Sequence, residues 1–315
     1  GMVAASTALG NVCRERREWS KARELFEEGL RTSRENGYMR AEALALEFIG
    51  HLEMDQDRNE EAFEMLSRAL GCAYRLSTNS DVVGEVLRRR AEVLFRLGRL
   101  EEAERDCAEA IKLTKEIGDQ LEEGATLRVL ASVCYAKGEQ TAAEVLINRA
   151  EEILRRVGES LELAKTALAD GIGLRDAAAP GQLPLDRIEA RFSAAEAIFT
   201  RIGSGGWVAR CQLERGKALH QGGQPDRART WLERARLTME IGKDQHGLAE
   251  VDAILRELDA GLADAAVSMQ ARYSTIAEGY RFLETAEPKA EDIHSFAEEI
   301  AEVLSADRLI LFSLS

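Results

Sequence analysis

The sequence predicts an all-α protein built from repeated pairs of antiparallel helices. Its 315 residues are 45% hydrophobic but only 5% aromatic, and they include just four prolines. Such a composition favours helices and argues against a β-sandwich or barrel. In addition, one short pattern of small and apolar residues recurs along most of the chain, which predicts an elongated array of helical repeats.

The recurring pattern begins with a small residue in a first helix: Gly10, Gly50, Ala91, Ala131 and Gly216. Twelve positions later an alanine begins a second helix: Ala22, Ala62, Ala103, Ala143 and Ala228. Four positions further comes an apolar residue: Phe26, Leu66, Cys107, Ile147 and Leu232. Another small residue follows after three more: Gly29, Ala69, Ala110, Ala150 and Ala235. Because steps of three and four share one helix face, we expect the small residues to let the helices cross closely, and the apolar residue to fill the next repeat's groove.

Glycines mark the predicted turns of the array. Three of them fall between the two helices of a pair: Gly98, Gly138 and Gly223. Pairs of an apolar residue and a glycine recur where one repeat should pass into the next: Ile117-Gly118, Val157-Gly158, Ile202-Gly203 and Ile241-Gly242. Because a positive φ is cheap only for glycine, these positions predict left-handed turn residues.

The fifth repeat in chain order departs from the pattern. Ile188, Phe192 and Ala195 take the marker positions, so a bulkier residue replaces the alanine. The extra length falls in residues 176–186, where two prolines and a glycine predict a loop. Either this loop is a tolerated insertion or, as long loops often do, it contributes to binding.

The small–small–large–small pattern resembles the tetratricopeptide repeat family. The marker alanines Ala22, Ala62, Ala103 and Ala143 step by 40, 41 and 40 residues, longer than the ~34 typical of that repeat. The longer spacing resembles the variant in bacterial signalling and transcription regulators and in kinesin light chains. The resemblance implies a right-handed superhelical solenoid of antiparallel helix pairs over residues 2–260, with about six repeats and a capping helix.

The last part of the sequence differs from the repeats. Residues 261–288 predict a single linker helix, and residues 289–315 an amphipathic helix followed by an apolar strand. The helix, the turn Ala306-Asp307-Arg308 and the apolar run after it resemble the opening of a GAF domain. Because so short a segment cannot form that domain, we expect the sequence to be cut from a larger protein. The alternative is a plain C-terminal helix and tail.

Composition and motifs argue against several classes of function. A net charge of -14 argues against direct binding of nucleic acid. No apolar stretch is long enough to span a membrane. The four histidines lack metal-ligand spacing, no phosphate-binding loop is present, and the five cysteines form no CxxC pair. We therefore predict a cytoplasmic, non-enzymatic protein with buried, reduced cysteines and no cofactor or metal.

The resemblance implies that the first helices line a concave groove that binds a partner. Counting from the small marker residues gives six candidate contacts: His51, Arg88, Phe95, Arg128, Tyr135 and Lys217. We expect the aromatic rings to supply most of the affinity, because burying a large apolar side chain contributes ~1.5–3 kcal/mol. The arginines would select an acidic group or a C-terminal carboxylate. The alternative is that Phe95 packs inside its own helix pair and Arg88 lies on a solvated face.

Two classes of function remain open at the level of sequence. The first is a protein- or peptide-binding sensory region of a bacterial regulator, with resemblance pointing to a sigma-54-dependent transcription activator or a signalling kinase. The second is a structural scaffold that mediates self-association or assembly, for which a homodimer is one form.

Overall fold

The structure is a computed structural model that describes residues 2–179 and 181–261, together with 267 and 274. Within these residues the chain consists of helices and turns, with no strand. It divides into two compact units, Gly1–Cys211 (unit 1) and Gln212–Ser315 (unit 2). The prediction of an all-α repeat array is therefore confirmed.

The helices come in successive pairs, each made of a first helix and a second helix. In unit 1 the pairs are α1 (Met2–Glu15) and α2 (Trp19–Glu35), α3 (Met39–Met54) and α4 (Asn59–Leu76), α5 (Asp81–Arg96) and α6 (Leu100–Ile117), α7 (Gln120–Ala136) and α8 (Gln140–Val157), and α9 (Ser160–Asp176) and α10 (Leu185–Arg201). Helix α11 (Gly205–Gln221) crosses the boundary between the units, and α12 (Pro225–Ile241) lies in unit 2. Residues 245–261 are again helical, where the sequence predicts a cap.

Each helix pair is held by an apolar seam, in which the large marker residue of the second helix lies on the small residue of the first. A Cβ atom added to Gly10 would come within 2.4 Å of the Phe26 ring, and one at Gly50 within 2.7 Å of Leu66. Where the small residue of the first helix is an alanine, the marker residue of the second helix is smaller than phenylalanine. Cys107, for example, is opposite Ala91 in the repeat pattern. Phe26 and Cys107 also belong to clusters that include residues of the next first helix. The marker residue therefore packs within its own repeat as well as against the next one.

The fifth repeat keeps this seam despite its unusual marker. Ile188 and Phe192 are fully buried, and a Cβ atom on Gly171 would lie 2.5 Å from the Phe192 ring. Gly171 is thus the small residue of this repeat. The added residues form a loop between α9 and α10, as predicted.

The first helices of unit 1 lie side by side. Successive members of the series α1, α3, α5, α7 and α9 pack closely against each other, whereas successive second helices lie further apart and meet through long side chains, as where Tyr74 of α4 donates to Glu109 of α6. This arrangement places the first helices on the inside of a curve. We call the side of unit 1 that they form the inner face.

The turns follow the predicted glycines with one exception. Gly98, Gly138 and Gly223 have φ of 71°, 78° and 70°, and the glycines after α6, α8 and α10 are likewise left-handed. The pair Ile241-Gly242, however, is not in register: Gly242 has φ of -77°, and Lys243 is the left-handed residue with φ of 56°. Helix α12 ends at Ile241, as α6 ends at Ile117, but the left-handed residue comes one position after the glycine.

Several predictions concern residues outside the described part. The linker helix over 261–288 has only 261, 267 and 274 described, all helical, and the start of a GAF-like domain over 289–315 lies wholly outside it. The five cysteines are described; all are free and buried, as predicted. Among the described residues, no helix is long and apolar enough to span a membrane.

Candidate partner-binding face

Charged side chains from successive first helices meet on the inner face of unit 1. They form two neighbouring clusters, together called the inner charge network, in which most contacts join one repeat to the next: Arg14, Glu47, His51, Asp55, Glu85 and Arg89 in the first, and Arg88, Glu92, Glu122, Arg128, Glu162 and Lys165 in the second. The positions directly after the small residues of the first helices belong to this face. Asn11, His51, Glu92, Ser132 and Ile172 occupy them, and each is half-buried.

At the N-terminal end of the network, His51 lies between two arginines. Arg14 Nη1 is 3.2 Å from Nε2 of the imidazole, and Arg89 Nη1 is 2.9 Å from Nδ1. Arg14 also donates a hydrogen bond of 2.5 Å to Oδ2 of Asp55. Burial, together with the positive charges of Arg89 and Arg14, holds the pKa of His51 well below its usual range. The imidazole is therefore neutral, so only one of its two nitrogens accepts a hydrogen bond from an arginine of a neighbouring repeat.

Glu47 is the most deeply buried acid of this part. Its side chain is fully buried and accepts a hydrogen bond from Nε of Arg89. Burial raises the pKa of Glu47 against the attraction of Arg89, and the neighbouring Glu85 acts in the same direction as burial. Glu47 and Glu85 thus both pair with the guanidinium group of Arg89.

In the centre of the network, Arg88 and Arg128 occupy equivalent positions of consecutive repeats. Arg88 donates from Nε to Oε2 of Glu122 at 2.6 Å and from Nη2 to Oε1 at 3.3 Å. Arg128 donates from Nη2 to Glu162 at 3.2 Å and lies 3.6 Å from Glu92. Both arginine side chains are more than nine-tenths buried, so neither is on a solvated face.

The positive charges keep the central carboxylates ionised. Burial by itself would raise the pKa of Glu92, but Arg128, Arg96 and Arg88 lower it to about 2. Glu162 is affected in the same way: burial opposes ionisation, yet Arg128 and Lys165 hold its pKa well below the usual range. Three cations, on Arg88, Arg128 and Lys165, therefore face three carboxylates across α5, α7 and α9.

The two predicted aromatic contacts are occupied by packing within unit 1. Phe95 is half-buried against a cluster that includes Ala91, Leu94 and Val129. Tyr135 is buried; its hydroxyl donates a 2.6 Å hydrogen bond to Oδ1 of Asp170, and its ring fills the space above Gly173. Burial and this hydrogen bond raise the pKa of the phenol. The rings therefore support the inner face, and their contact with a partner stays a prediction.

The sixth predicted residue, Lys217, lies in unit 2. Its amino group donates to Glu214 at 3.2 Å and to Glu250 in the following helical segment. The structure thus places His51, Arg88 and Arg128 in the inner charge network, Phe95 and Tyr135 in the packing of unit 1, and Lys217 in the other unit.

The partners of the arginines were not predicted from the sequence. Arg89, Glu122 and Glu162 carry much of the network but were not among the candidates. A signal for two of them is present: Arg88 and Glu122 are 34 residues apart, and so are Arg128 and Glu162 one repeat later. Such a recurring arginine–glutamate interval indicates ion pairs between neighbouring first helices.

The described residues contain no group of three or more His, Cys, Asp or Glu side chains placed to hold a metal ion. The arrangement of the inner face offers hydrogen-bond donors and acceptors of both signs at short spacing. Such a surface can bind a flexible polar chain by matching its charges, since charge-assisted hydrogen bonds are stronger than neutral ones.

Several solved structures resemble this chain. A Rap protein complexed with competence and sporulation factor is 14% identical with a TM-score of 0.58, over 99% of both chains. Aspartyl phosphate phosphatase F from Bacillus subtilis is 10% identical with a TM-score of 0.60, over 79% of this chain and 62% of that chain. A Signal Transduction ATPase with Numerous Domains (STAND) protein with a tetratricopeptide repeat sensor, from Pyrococcus horikoshii, is 13% identical with a TM-score of 0.52, over 100% of this chain and 49% of that chain. At these identities the likeness shows the fold alone.

No curated protein matches the sequence. The family model of the MalT-like TPR region, in contrast, matches residues 2–218. This range covers all five helix pairs of unit 1 and most of α11. The chain therefore belongs to the MalT-like TPR region family.

Proposed function

We propose that this chain is a sensory region that binds a protein or peptide on the inner face of unit 1 and serves a regulatory protein. The observation that carries the proposal is the inner charge network. The apolar seam already holds the helices of each pair together, whereas burying charged groups carries a desolvation cost that apolar contacts do not have. Buried, cross-connected charges with displaced pKa values on one face are typical of a functional surface.

The family and the similar folds support a regulatory role. A Rap protein with the same fold is complexed with the competence and sporulation factor, and a STAND protein uses tetratricopeptide repeats as its sensor. By analogy, the partner of this chain is a peptide or a protein segment that runs along the first helices. This proposal assigns no catalytic activity to the chain.

The finer assignment follows from the sequence resemblance. We propose that the regulator is a multidomain transcription activator of the sigma-54-dependent type or a signalling kinase, and that binding shifts the packing between repeats. The competing proposal is a scaffold that only self-associates. A scaffold does not need a partner on the inner face. The two proposals therefore predict that different surfaces are required for function.

The test is affinity selection from a synthetic library of octapeptides with free carboxyl termini, followed by titration of the selected peptides. Two variants obstruct the inner face, Ser132→Trp and Ile172→Trp, each at a half-buried position. The matched control, Asn148→Trp, places the same ring at an exposed position of second helix α8. Thermal unfolding of each variant shows that the fold is kept.

We expect both inner-face variants to weaken binding of the selected peptides at least tenfold, with the control unchanged. If selection yields no peptide, or if inner-face variants bind as well as the parent, the proposal is wrong. Loss of self-association in the Asn148→Trp variant, measured by sedimentation, would support the scaffold instead.

A further inference from the structure

Arg88 and Arg128 occupy equivalent positions of the repeat, but their guanidinium groups donate different numbers of hydrogen bonds. Arg88 donates two hydrogen bonds to the two oxygens of Glu122, a fork that matches the shape of a carboxylate. Arg128 donates one hydrogen bond, from Nη2 to Glu162 at 3.2 Å. Its Nε is buried and has no hydrogen-bond partner among the described residues. One of the two equivalent arginines therefore has a buried donor without an acceptor in the described part of the chain.

Arg128 shares Glu162 with Lys165. Lys165 donates a 2.7 Å hydrogen bond to Oε1 of Glu162, and Arg128 donates to the other oxygen, Oε2. Glu92, the other acid beside Arg128, reaches it at 3.6 Å, too far for a hydrogen bond. Arg128 thus has two acidic neighbours, and neither occupies its Nε.

We propose that Arg128 is the anchoring residue of the inner face, and that it binds a carboxylate of the partner through Nε and an adjacent Nη. This inference rests on the proposed function and specifies the chemistry of the partner. A carboxylate has two oxygens in one plane, spaced to accept from both donors of a guanidinium group. A buried donor without an acceptor is unfavourable, so a ligand that supplies one gains more there than at the satisfied Arg88.

Among anionic ligands, the local charges favour one with a single negative charge over one with two. The three cations of the centre are already balanced by Glu92, Glu122 and Glu162. A dianion such as a phosphate would meet stronger repulsion from Glu92 and Glu162 than a carboxylate does. The carboxylate is that of an aspartate or glutamate side chain or of a peptide C-terminus.

Glu92 is the side chain that the ligand carboxylate displaces from Arg128. It contacts Arg128 and Arg88 as ion pairs at 3.6 and 3.9 Å, and it is 22% exposed, so it can turn towards solvent. Because the Glu92–Arg128 pair joins α5 to α7, its exchange for a ligand carboxylate loosens one contact between neighbouring repeats. Binding at Arg128 is in this way coupled to the packing of two repeats.

The experiment uses the octapeptides selected on the full chain. For each peptide, every Asp or Glu is replaced by Asn or Gln, and separately the C-terminus is amidated. Affinities are measured for the parent and for Arg128→Lys. Lysine keeps a positive charge opposite Glu92 and Glu162 but lacks Nε and the planar fork, so the variant is expected to fold. The control is Arg90→Lys, whose arginine is paired with Asp106 of second helix α6.

We expect one carboxylate replacement to weaken binding to the parent at least tenfold, and the same replacement to change binding to Arg128→Lys less than twofold. The replacement that weakens binding shows whether the carboxylate belongs to a side chain or to the C-terminus. Arg90→Lys should behave as the parent does. If the peptides depend on the inner face but on no carboxylate, or bind Arg128→Lys as tightly as the parent, this inference is overturned and the proposed function stands. Absence of any peptide that depends on the inner face overturns both.

Discussion

The apolar seam and the inner charge network follow opposite rules, although they share the same first helices. In the seam, Gly10 receives Phe26 and Gly171 receives Phe192, so the same demand for close crossing is met by the same residue types in different repeats. In the network, Arg88 forms a fork with its glutamate, whereas Arg128 does not. Contacts that the fold requires are therefore present in each repeat. A contact that differs between equivalent positions indicates instead a function of that particular site.

The strongest test of the seam removes a large marker residue. Phe192→Ala deletes a fully buried ring that lies against Gly171, and the surrounding helices can fill the cavity only in part. We expect the free energy of unfolding to fall by ~3–5 kcal/mol. Urea denaturation measures this loss. A loss below ~1 kcal/mol would show that the ring does not hold this repeat together.

On the network side, the largest expected effect depends on pH. The pKa of Glu92 is lowered from its ordinary 4.5 to about 2, so its ionised form stabilises the fold above pH 4.5. This contribution, on the order of 3 kcal/mol, is lost as the pH falls through about 2. Glu92→Gln should therefore be less stable than the parent near pH 6, with the difference shrinking between pH 4.5 and 2. A difference that stays constant over this range would contradict the assignment.

A smaller effect distinguishes a broken ion pair from a replaced one. Arg88→Met leaves the half-buried Glu122 carboxylate without its fork, which should lower the free energy of unfolding by ~1–3 kcal/mol. The double variant Arg88→Met/Glu122→Leu removes both charges and should recover most of that loss. Denaturation of the single and double variants completes the cycle. If the double variant is no more stable than Arg88→Met, the loss does not come from leaving Glu122 unpaired.

The smallest expected effect adds one methyl group to the seam. The Cβ of Gly171→Ala would lie 2.5 Å from the Phe192 ring, and overpacking of this kind costs ~1–3 kcal/mol. Alanine's better helix propensity offsets about 1 kcal/mol, so we expect a net loss of about 1 kcal/mol. Adding Phe192→Leu to this variant should make room for the methyl group. If Gly171→Ala is more stable than the parent, the ring does not lie on this position.

The sequence predicted the seam well because every repeat imposes the same spacing on it. The pattern located the small residues, the markers and most of the turns, and it failed at Gly242, which has a φ of -77° while Lys243 takes the left-handed conformation. The partners of the inner face were harder to predict. Tyr135 packs on Gly173, a contact between two repeats at positions outside the pattern, so nothing in the periodicity indicated that its ring is buried.

His51 shows a second limit of the sequence. Its position after a small residue placed it on the inner face, but its neutral state depends on burial between Arg14 and Arg89, which come from the preceding and following repeats. Side chains that lie one repeat apart determine the charge of such a residue. A periodic pattern gives the face of a helix, and only the packed structure gives the partners across it.

The most direct measurement of the central claim is the ¹H–¹⁵N correlation spectrum of the arginine Nε–H groups, recorded with and without a selected acidic octapeptide. Arg128→Lys and Arg90→Lys assign two of the signals by their loss. Because Nε of Arg128 has no partner among the described residues, whereas that of Arg90 already donates to Asp106 at 2.6 Å, we expect the peptide to shift the Arg128 signal and leave that of Arg90 in place. An Arg128 signal that does not move at saturating peptide would contradict the account.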